Sequence, residues 1–482
     1  RTLVTTIQAV WLAGGVLVML PLPMRMGSID QFIEQTRDRI RFAKASTVVL
    51  DPQLAEFIEH QPGDPTFLTY ADLLPEATGQ TAEDWKRPTP DPDALAVLQF
   101  TSGSTSEPKG VMLAHRQLCA NIDGCYEAAQ MSLDDTVVSW LPLYHDMGLS
   151  FLLSGALSGC ETWLAPTGAF SASPFRWLNW LSESRATLTA APNFAYNVLG
   201  KYARRISDID LGALRFALNG GEPIDCDGLA LFLTEMARFG LDPGAAAPSY
   251  GLAESTCAVT APVPGSGLRY DEIRDDATGS VRKQATLGHP VPGMELRLAP
   301  IDHEQSDIPG RDVGQIEIRG SSMMSGYLGE APLDPQTWFP TGDLGYLTDD
   351  GLVVCGRVKE LITVAGRNVF PTEVERVAAQ VRGVREGAVV AVGTAPWDRH
   401  LSTTTAPYLL AAPRLGWPLL VFALLLYVVG RSQDILIFEI GSLIPMIASL
   451  LLLFFGRFSR GKEILLKDIT SVERASSMQI GG

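Results

Sequence analysis

The run TSGSTSEPKG at residues 101–110 combines hydroxyl, glycine and lysine residues in a way that suits phosphate binding. Its hydroxyls and backbone N–H groups can surround phosphate oxygens, its glycines permit close approach, and Lys109 adds a mobile positive charge. The residue order excludes a Walker A loop. A flexible Ser/Gly surface turn is the competing interpretation for this run alone.

The elements that must hold such a loop indicate an α/β fold. Apolar runs at residues 95–100 and 111–114 flank the loop and predict a strand on each side of it. Elsewhere the apolar spacing predicts helices at residues 29–45 and 116–130, and strands at residues 46–50, 136–143 and 214–218. Residues 7–23 are apolar but short and split by Gly-Gly, so we predict a buried helix and a core strand rather than a targeting segment. Residues 75–92 are rich in Pro, Asp, Glu and Thr and predict a surface linker.

Five further blocks follow the phosphate-binding run in a fixed order. They are LPLYHDMG at residues 141–148, NGGEP at 219–223, PSYGLAEST at 248–256, TGDLG at 341–345 and GRVKELITVAGRN at 356–368. Through this series the chain resembles the adenylate-forming superfamily of acyl-CoA synthetases, adenylation domains and luciferases. Ser106 replaces one glycine of the family's phosphate loop.

Some of these blocks resemble one branch more than the others. The variants HDMG and GRNVFP are similar to those of fatty acyl-AMP ligases. The runs at residues 173–177 and 190–196 are similar to the long-chain fatty acid–acyl carrier protein ligases of siderophore assembly.

The resemblance implies an ATP site. Tyr250 would stack on adenine, Asp343 would accept hydrogen bonds from the ribose hydroxyls, and Glu254 would bind the Mg²⁺ that bridges the triphosphate. The full predicted set of nucleotide-binding residues is Thr101, Ser102, Gly103, Ser104, Thr105, Lys109, Asn219, Gly220, Gly221, Glu222, Ser249, Tyr250, Gly251, Asp343 and Arg357.

The resemblance also implies three catalytic residues: His145, Glu254 and Lys359. Lys359 would lie at the pivot between two domains. For His145 two interpretations stay open, because a His beside an Asp is often a structural pair, whereas the family's histidine lies at the mouth of the acyl pocket. The aromatic residues between positions 170 and 197 would supply either core packing or part of an acyl tunnel.

Composition narrows the class of protein. The 482 residues carry a net charge of −16, which argues against a nucleic-acid binder. Six cysteines without a C-x-x-C pair favour reduced thiols and exclude a disulfide framework or a zinc site. We expect a cytoplasmic catalytic domain. The resemblance begins abruptly near Leu3, so we expect the opening portion of the large domain to be missing.

The resemblance ends near residue 394, inside the expected small C-terminal domain and before the lysine that the family carries near its end. Residues 408–429 and 435–455 are strongly apolar and predict a membrane hairpin, with basic residues after it. A frameshift or gene fusion is the favoured origin of this tail, because the break falls inside a domain. The predicted organisation is a large adenylation domain at 1–355, a hinge at 356–360, a partial C-terminal domain at 361–394, a linker at 395–407, an apolar helical hairpin at 408–457 and a basic and polar tail at 458–482.

These features predict ATP- and Mg²⁺-dependent activation of a long-chain fatty acid to acyl-AMP, followed by transfer to the phosphopantetheine thiol of an acyl carrier protein. One alternative is an acyl-CoA synthetase with coenzyme A as the acceptor. The other is a membrane-anchored, catalytically impaired nucleotide- or acyl-binding protein, since the C-terminal lysine is missing.

Overall fold

The computed structural model describes residues 2–21, 29–55, 58, 60–74, 85–101, 109–274, 281–301, 308, 310–358, 362–364, 367–369, 384–394 and 406–413. The helices are α1 Thr2–Leu12, α2 Ile29–Phe42, α3 Pro52–Ala55, α4 His115–Ala128, α5 Asp146–Ser158, α6 Thr167–Ala172, α7 Phe175–Ser184, α8 Asn193–Lys201 and α9 Cys226–Met236. The strands of the first half are β1 Thr47–Leu50, β2 Thr66–Thr69, β3 Leu95–Phe100, β4 Gly110–Ala114, β5 Thr136–Ser139, β6 Glu161–Leu164, β7 Leu188–Ala191, β8 Phe216–Asn219, β9 Ala246–Pro248, β10 Tyr250–Gly251 and β11 Ala258–Ala261. Those of the second half are β12 Tyr270–Arg274, β13 Val281–Ala285, β14 His289–Pro290, β15 Met294–Ala299, β16 Gly314–Gly320, β17 Gly326–Tyr327, β18 Phe339–Thr348, β19 Gly351–Arg357, β20 Ile362–Val364, β21 Arg367–Val369, β22 Val384–Thr394 and β23 Ala406–Pro413.

A five-stranded parallel sheet in the order β6-β5-β7-β8-β9 organises the middle of the chain. Its strands are short and apolar, and helices connect most of them, as parallel strands require. The four residues of β7 are buried throughout. Because all five strands point the same way, the segments that follow β5, β7, β8 and β9 meet at one edge of the sheet, which is where α/β proteins bind ligands.

The aromatic stretch between positions 170 and 197 mostly fills the core beside this sheet. Trp177 and Tyr196 are buried, and the Trp177 indole N–H donates to the Thr189 hydroxyl at 3.1 Å. Phe170 stacks on Trp140 with 3.5 Å between the ring centroids. Core packing therefore accounts for these three residues of the stretch. Phe194, at the start of α8, is 47% exposed and lies at the carboxyl edge of the sheet.

Two antiparallel sheets bring the remaining blocks to the same edge. In the sheet β17-β4-β3, the hairpin β3–β4 flanks the phosphate-binding run, as the sequence predicts. The sheet β15-β16-β18-β19 ends with the pair β18–β19, whose register places Asp343 opposite Arg357. These pairings position two distant parts of the chain beside the parallel sheet.

Several predicted elements differ from the structure. The strand predicted at residues 136–143 ends at Ser139, since Pro142 lacks the N–H that a strand ladder needs. In the segment 7–23 the helix is confirmed by α1, but Ile7 is the only buried residue of that helix, so the prediction of a buried helix is wrong. The predicted core strand is an extended segment that bridges β3 only through Leu17 and Val97. Ten residues of the predicted linker at 75–92, residues 75–84, lie outside the described part.

The apolar C-terminal segment begins as a strand. Residues 408–413, predicted as the start of a membrane helix, belong to β23, which pairs antiparallel with β22. That part of the prediction is wrong, because the prolines at both ends of β23 disfavour a helix and the valine-rich β22 supplies a strand partner. Residues 414–482 lie outside the described part of the chain. Among the described residues, no helix has the length and hydropathy needed to cross a membrane.

Candidate active site

The candidate site lies at the carboxyl edge of the parallel sheet. The segment after β5 leads to His145, β8 ends at Asn219 and is followed by Gly220, and the segment after β9 holds Tyr250. Hydrogen bonds join these segments: the Ser249 N–H donates to the Asn219 carbonyl at 2.9 Å. The Gln99 side chain, on the strand before the phosphate-binding run, donates to the Tyr144 carbonyl at 2.5 Å.

Asp343 forms the centre of one polar cluster. Its buried carboxylate accepts the Tyr250 hydroxyl at 2.6 Å and the Arg357 Nε–H at 2.9 Å. Its own N–H donates to the Thr341 hydroxyl at 3.1 Å. Burial and the adjacent carboxylate hold the pKa of Tyr250 well above its usual value. The phenol therefore stays protonated and donates a hydrogen bond to Asp343. The Asp343 carboxylate therefore lies between the Tyr250 side chain and the Arg357 guanidinium group.

Glu254 forms the centre of a second cluster. Its Oε1 accepts the Tyr327 hydroxyl at 2.7 Å, and burial together with this carboxylate raises the pKa of Tyr327. The Lys109 ammonium lies 4.1 Å from the centroid of the Tyr327 ring and 3.6 Å from Glu330. Tyr327 thus contacts both the candidate metal ligand and the lysine of the phosphate-binding run.

The glycine turn after β8 is closely packed. Gly221 has φ +80°, which favours glycine, and a Cβ added at Gly220 would lie 3.1 Å from the Ser249 carbonyl oxygen. The same restriction is stronger at Gly251, where an added Cβ would lie 1.8 Å from the Cys257 carbonyl oxygen. The turn and the Tyr250 segment therefore form one surface with exposed backbone.

Asn219 lies buried at the end of β8. Its amide donates to Asn193 at 3.1 Å, and its Oδ1 has no hydrogen-bond partner among the described residues. Glu222, two residues after Gly220, accepts the Phe194 N–H. The Asn219 Oδ1 is therefore a buried acceptor whose hydrogen-bonding capacity is unused among the described residues.

His145 caps α5 at the same edge. Its Nδ1 lies 2.6 Å from the Asp146 carboxylate, and this hydrogen bond raises the pKa of His145. The Met147 N–H donates to Asp146 at 2.6 Å, which orients the carboxylate. With Nδ1 donating to Asp146, Nε2 is the ring nitrogen left for a ligand.

The structure brings together most of the predicted site residues, with two gaps. Thr101 and Lys109 close the base of the phosphate-binding run, through a Thr101 N–H to Lys109 carbonyl hydrogen bond of 3.0 Å. The predicted residues that lie outside the described part of the chain are Ser102, Gly103, Ser104, Thr105 and Lys359.

The sequence interpretation missed Tyr327. It lies 73 positions from Glu254 and in no recognised block, so only the pairing of β17 with β4 places it there. All six cysteines are free thiols, as the composition predicts.

Comparison with known proteins agrees with this geometry. The profile of the family described as AMP-binding enzyme matches residues 2–328. The Mycobacterium tuberculosis protein Rv1013 is 39% identical over 412 residues, covering 80% of this chain and 74% of that protein. The medium-chain-fatty-acid–[acyl-carrier-protein] ligase JamA of Moorena producens is 32% identical over 334 residues, covering 63% of this chain and 56% of JamA.

A solved structure from a study of fatty acyl-adenylate ligases of E. coli and L. pneumophila has a TM-score of 0.76. It is 28% identical to this chain, and the match covers 95% of this chain and 80% of that one. With a family profile over more than half of its length, this chain belongs to the AMP-binding enzyme family and, within it, is similar to the fatty acyl-AMP ligases.

Proposed function

We propose that this protein activates a fatty acid with ATP to form acyl-AMP, and then passes the acyl group to a carrier-protein thiol. The observation that carries the proposal is the convergence of two carboxylates, Asp343 and Glu254, with the glycine turn and Lys109 around one edge of the parallel sheet. This arrangement matches the parts of a nucleoside triphosphate: a diol, a flat base and a charged phosphate chain.

The nucleoside would occupy the Asp343 cluster. The Asp343 carboxylate accepts the two ribose hydroxyls, displacing its present donors, and Arg357 balances its charge. Adenine lies against the backbone of Gly220 and Gly221 and the ring of Tyr250. The buried Asn219 Oδ1, which lacks a partner among the described residues, suits the exocyclic amine of adenine.

The triphosphate would extend towards Glu254 and Lys109. Lys109 leaves its exposed contact with Glu330 to bind phosphate oxygens, because a doubly charged phosphate is the stronger partner. Glu254 has one oxygen hydrogen-bonded to Tyr327, and its second oxygen is free of that bond.

The residues present fit a Mg²⁺ ion carried by the nucleotide. Within the described ranges no three His, Cys, Asp or Glu side chains form a metal-binding group. Mg²⁺ in nucleotide sites takes one or two carboxylates, several waters and the substrate phosphates, so Glu254 alone suffices. If Glu254 held Mg²⁺ there, the ion would supply positive charge to the leaving pyrophosphate.

The reaction follows from this placement. An oxygen of the fatty carboxylate attacks the α-phosphorus, the bond from that phosphorus to the β-phosphate bridging oxygen breaks, and pyrophosphate leaves. The protein contributes positioning and charge neutralisation. The hydrogen bond to Asp146 raises the pKa of His145, and the protonated ring would donate a hydrogen bond from Nε2 to the incoming carboxylate. Thiol attack on the acyl carbon then releases AMP, after rotation about the hinge that contains Lys359.

We also propose which thiol accepts the acyl group and which length of fatty acid is activated. Similarity to JamA, an acyl-carrier-protein ligase, supports a carrier protein as the acceptor. The long-chain acid and the cytoplasmic site of action stay predictions. An assay with carrier protein and coenzyme A as competing thiols tests this choice against the acyl-CoA synthetase alternative. The assignment to siderophore assembly stays a prediction.

Fatty-acid-dependent exchange of pyrophosphate into ATP tests the first step. We expect exchange that requires a long-chain acid and falls when Glu254→Ala removes the metal ligand, while Glu183→Ala on the exposed surface of α7 changes nothing. Loss of one positioned contact to the transition state costs about 10²–10³ in rate. ATP binding without exchange would favour the impaired-enzyme alternative.

A further inference from the structure

The loop that carries Glu254 continues into a strained residue. Thr256 has φ +73° and ψ −55°, a backbone conformation that is unfavourable for a β-branched side chain. Ser255 and Thr256 are both buried. Such a conformation persists only where the surroundings hold it, and it occurs preferentially at functional sites.

Residues 322–327, here called the clamp segment, hold this loop from one side. The Thr256 hydroxyl donates to the Ser322 carbonyl at 2.8 Å, and the Met324 N–H donates to the Glu254 carbonyl at 2.8 Å. The Tyr327 hydroxyl donates to the Glu254 carboxylate at 2.7 Å. One segment therefore contacts the backbone and the side chain of Glu254, together with the strained residue two positions later.

Two buried side chains on α4 hold the clamp segment in turn. The Asn121 amide donates to the Ser322 hydroxyl at 3.2 Å, and Gln117 Oε1 accepts the Ser325 hydroxyl at 3.2 Å. Asn121 also makes two hydrogen bonds to the backbone of Ala258, where the Glu254 loop ends. Its amide donates to the Ala258 carbonyl at 2.9 Å, and its oxygen accepts the Ala258 N–H at 3.1 Å. Gln117 and Asn121 are four positions apart, so they lie on one face of the helix.

We propose that Gln117 and Asn121, acting through the clamp segment and Thr256, are positioning residues that fix the Glu254 carboxylate for a metal–nucleotide complex. The inference rests on the proposed role of Glu254. Groups that hold a metal ligand in place affect metal affinity strongly, because they fix the orientation of the ligand before binding. Polar bonds that only stabilise the fold would affect every ligand of the site equally.

The chain offers a matched pair of threonines for the test. Thr256 and Thr260 are both buried, and each donates its hydroxyl to a backbone carbonyl, Thr260 to that of Leu287 at 2.6 Å. We would measure binding of Mg²⁺–ATP and of AMP by calorimetry for Thr256→Val and Thr260→Val. AMP lacks the β- and γ-phosphates, so its affinity reports the nucleoside pocket and the α-phosphate contacts alone.

We expect Thr256→Val to weaken Mg²⁺–ATP binding by about 10- to 100-fold and to leave AMP binding unchanged. Thr260→Val should change neither affinity, and Thr256→Ser, which keeps the hydroxyl, should restore Mg²⁺–ATP binding. Ser325→Ala removes the hydroxyl that donates a hydrogen bond to Gln117. It is the milder variant, to be used if Thr256→Val does not fold. It should also weaken Mg²⁺–ATP binding more than AMP binding.

Equal losses for Mg²⁺–ATP and AMP in Thr256→Val or Ser325→Ala would overturn the inference, since they indicate a structural role only. A Glu254→Ala variant separates the two proposals. If Glu254→Ala weakens Mg²⁺–ATP binding while Thr256→Val and Ser325→Ala bind it normally, the positioning inference alone is wrong. If Glu254→Ala binds Mg²⁺–ATP normally, the proposed metal role of Glu254 is wrong and the inference is overturned with it.

Discussion

Replacing Asp343 with asparagine should selectively weaken recognition of the ribose. The buried carboxylate already accepts two hydrogen bonds, from Tyr250 at 2.6 Å and from Arg357 at 2.9 Å, so its geometry suits two donors at once. An amide can accept only through its oxygen, so one of the two bonds to the ribose is lost. A hydrogen bond to a charged group contributes about 1.5–3 kcal/mol, which corresponds to about a 10- to 150-fold loss of ATP affinity.

The assay compares ATP with an analogue that lacks both ribose hydroxyls. The unsubstituted protein should prefer ATP, whereas in Asp343→Asn this preference should be smaller by about 10- to 150-fold. Tyr250→Phe keeps the aromatic face and removes a competing donor from the carboxylate, so it should keep the preference. Asp350→Asn, on the exposed turn of the same hairpin, is the matched control.

A preference of Asp343→Asn for ATP over the analogue by the original factor would contradict ribose binding by Asp343. An equal fall in both affinities would also contradict it, because the carboxylate would then support the pocket without contacting ribose. Circular dichroism and thermal unfolding of the variant distinguish a local change from loss of the fold.

Three other predictions follow from the geometry. Asp146→Asn should lower the pKa of His145 in an NMR titration, since the hydrogen bond that raises it is weakened; an unchanged pKa contradicts this account. Arg311→Ala should reduce thermal stability at neutral pH, because Arg311 makes two bonds to Asp271, at 2.7 and 2.8 Å, and these lower the pKa of that carboxyl. Because the folded-state pKa of Asp271 is lowered, its ion pair contributes stability at pH values above the unfolded-state pKa, near 4, and this contribution is lost as pH falls through the folded-state pKa. The difference in Tm between Arg311→Ala and the unsubstituted protein should therefore shrink in acid. A difference in Tm that stays constant with pH would contradict this explanation. Gly251→Ala should abolish ATP binding, since its Cβ would lie 1.8 Å from a backbone carbonyl oxygen, and normal binding would show that the loop can relax.

Local motifs revealed those parts of the site that lie close together in the chain. Tyr250 and Glu254 are four residues apart, and the glycine turn follows directly from an apolar strand. Asp343 and Arg357 face each other because an Asp-Asp-Gly turn joins β18 and β19, whose register places these two residues opposite each other. These features depend on local geometry, which the sequence specifies directly.

Contacts between distant segments could not be predicted in this way. Tyr327 reaches Glu254 only because β17 pairs with β4, and no local pattern marks that pairing. The role of Asn121 depends on which face of α4 meets β11 and the clamp segment. Residues 408–413 gave a helical membrane signal from hydropathy, but pairing with β22 makes them a strand. In each case a tertiary partner determines the outcome.

Mass spectrometry of the reaction products would detect formation of acyl-AMP. The purified chain would be incubated with ATP, Mg²⁺ and a series of fatty acids, without any thiol acceptor, beside Glu254→Ala. We expect a long-chain acyl-AMP and an equal amount of pyrophosphate, both strongly reduced in the variant. ATP bound without acyl-AMP from any acid, or acyl-AMP formed equally well by Glu254→Ala, would contradict this expectation.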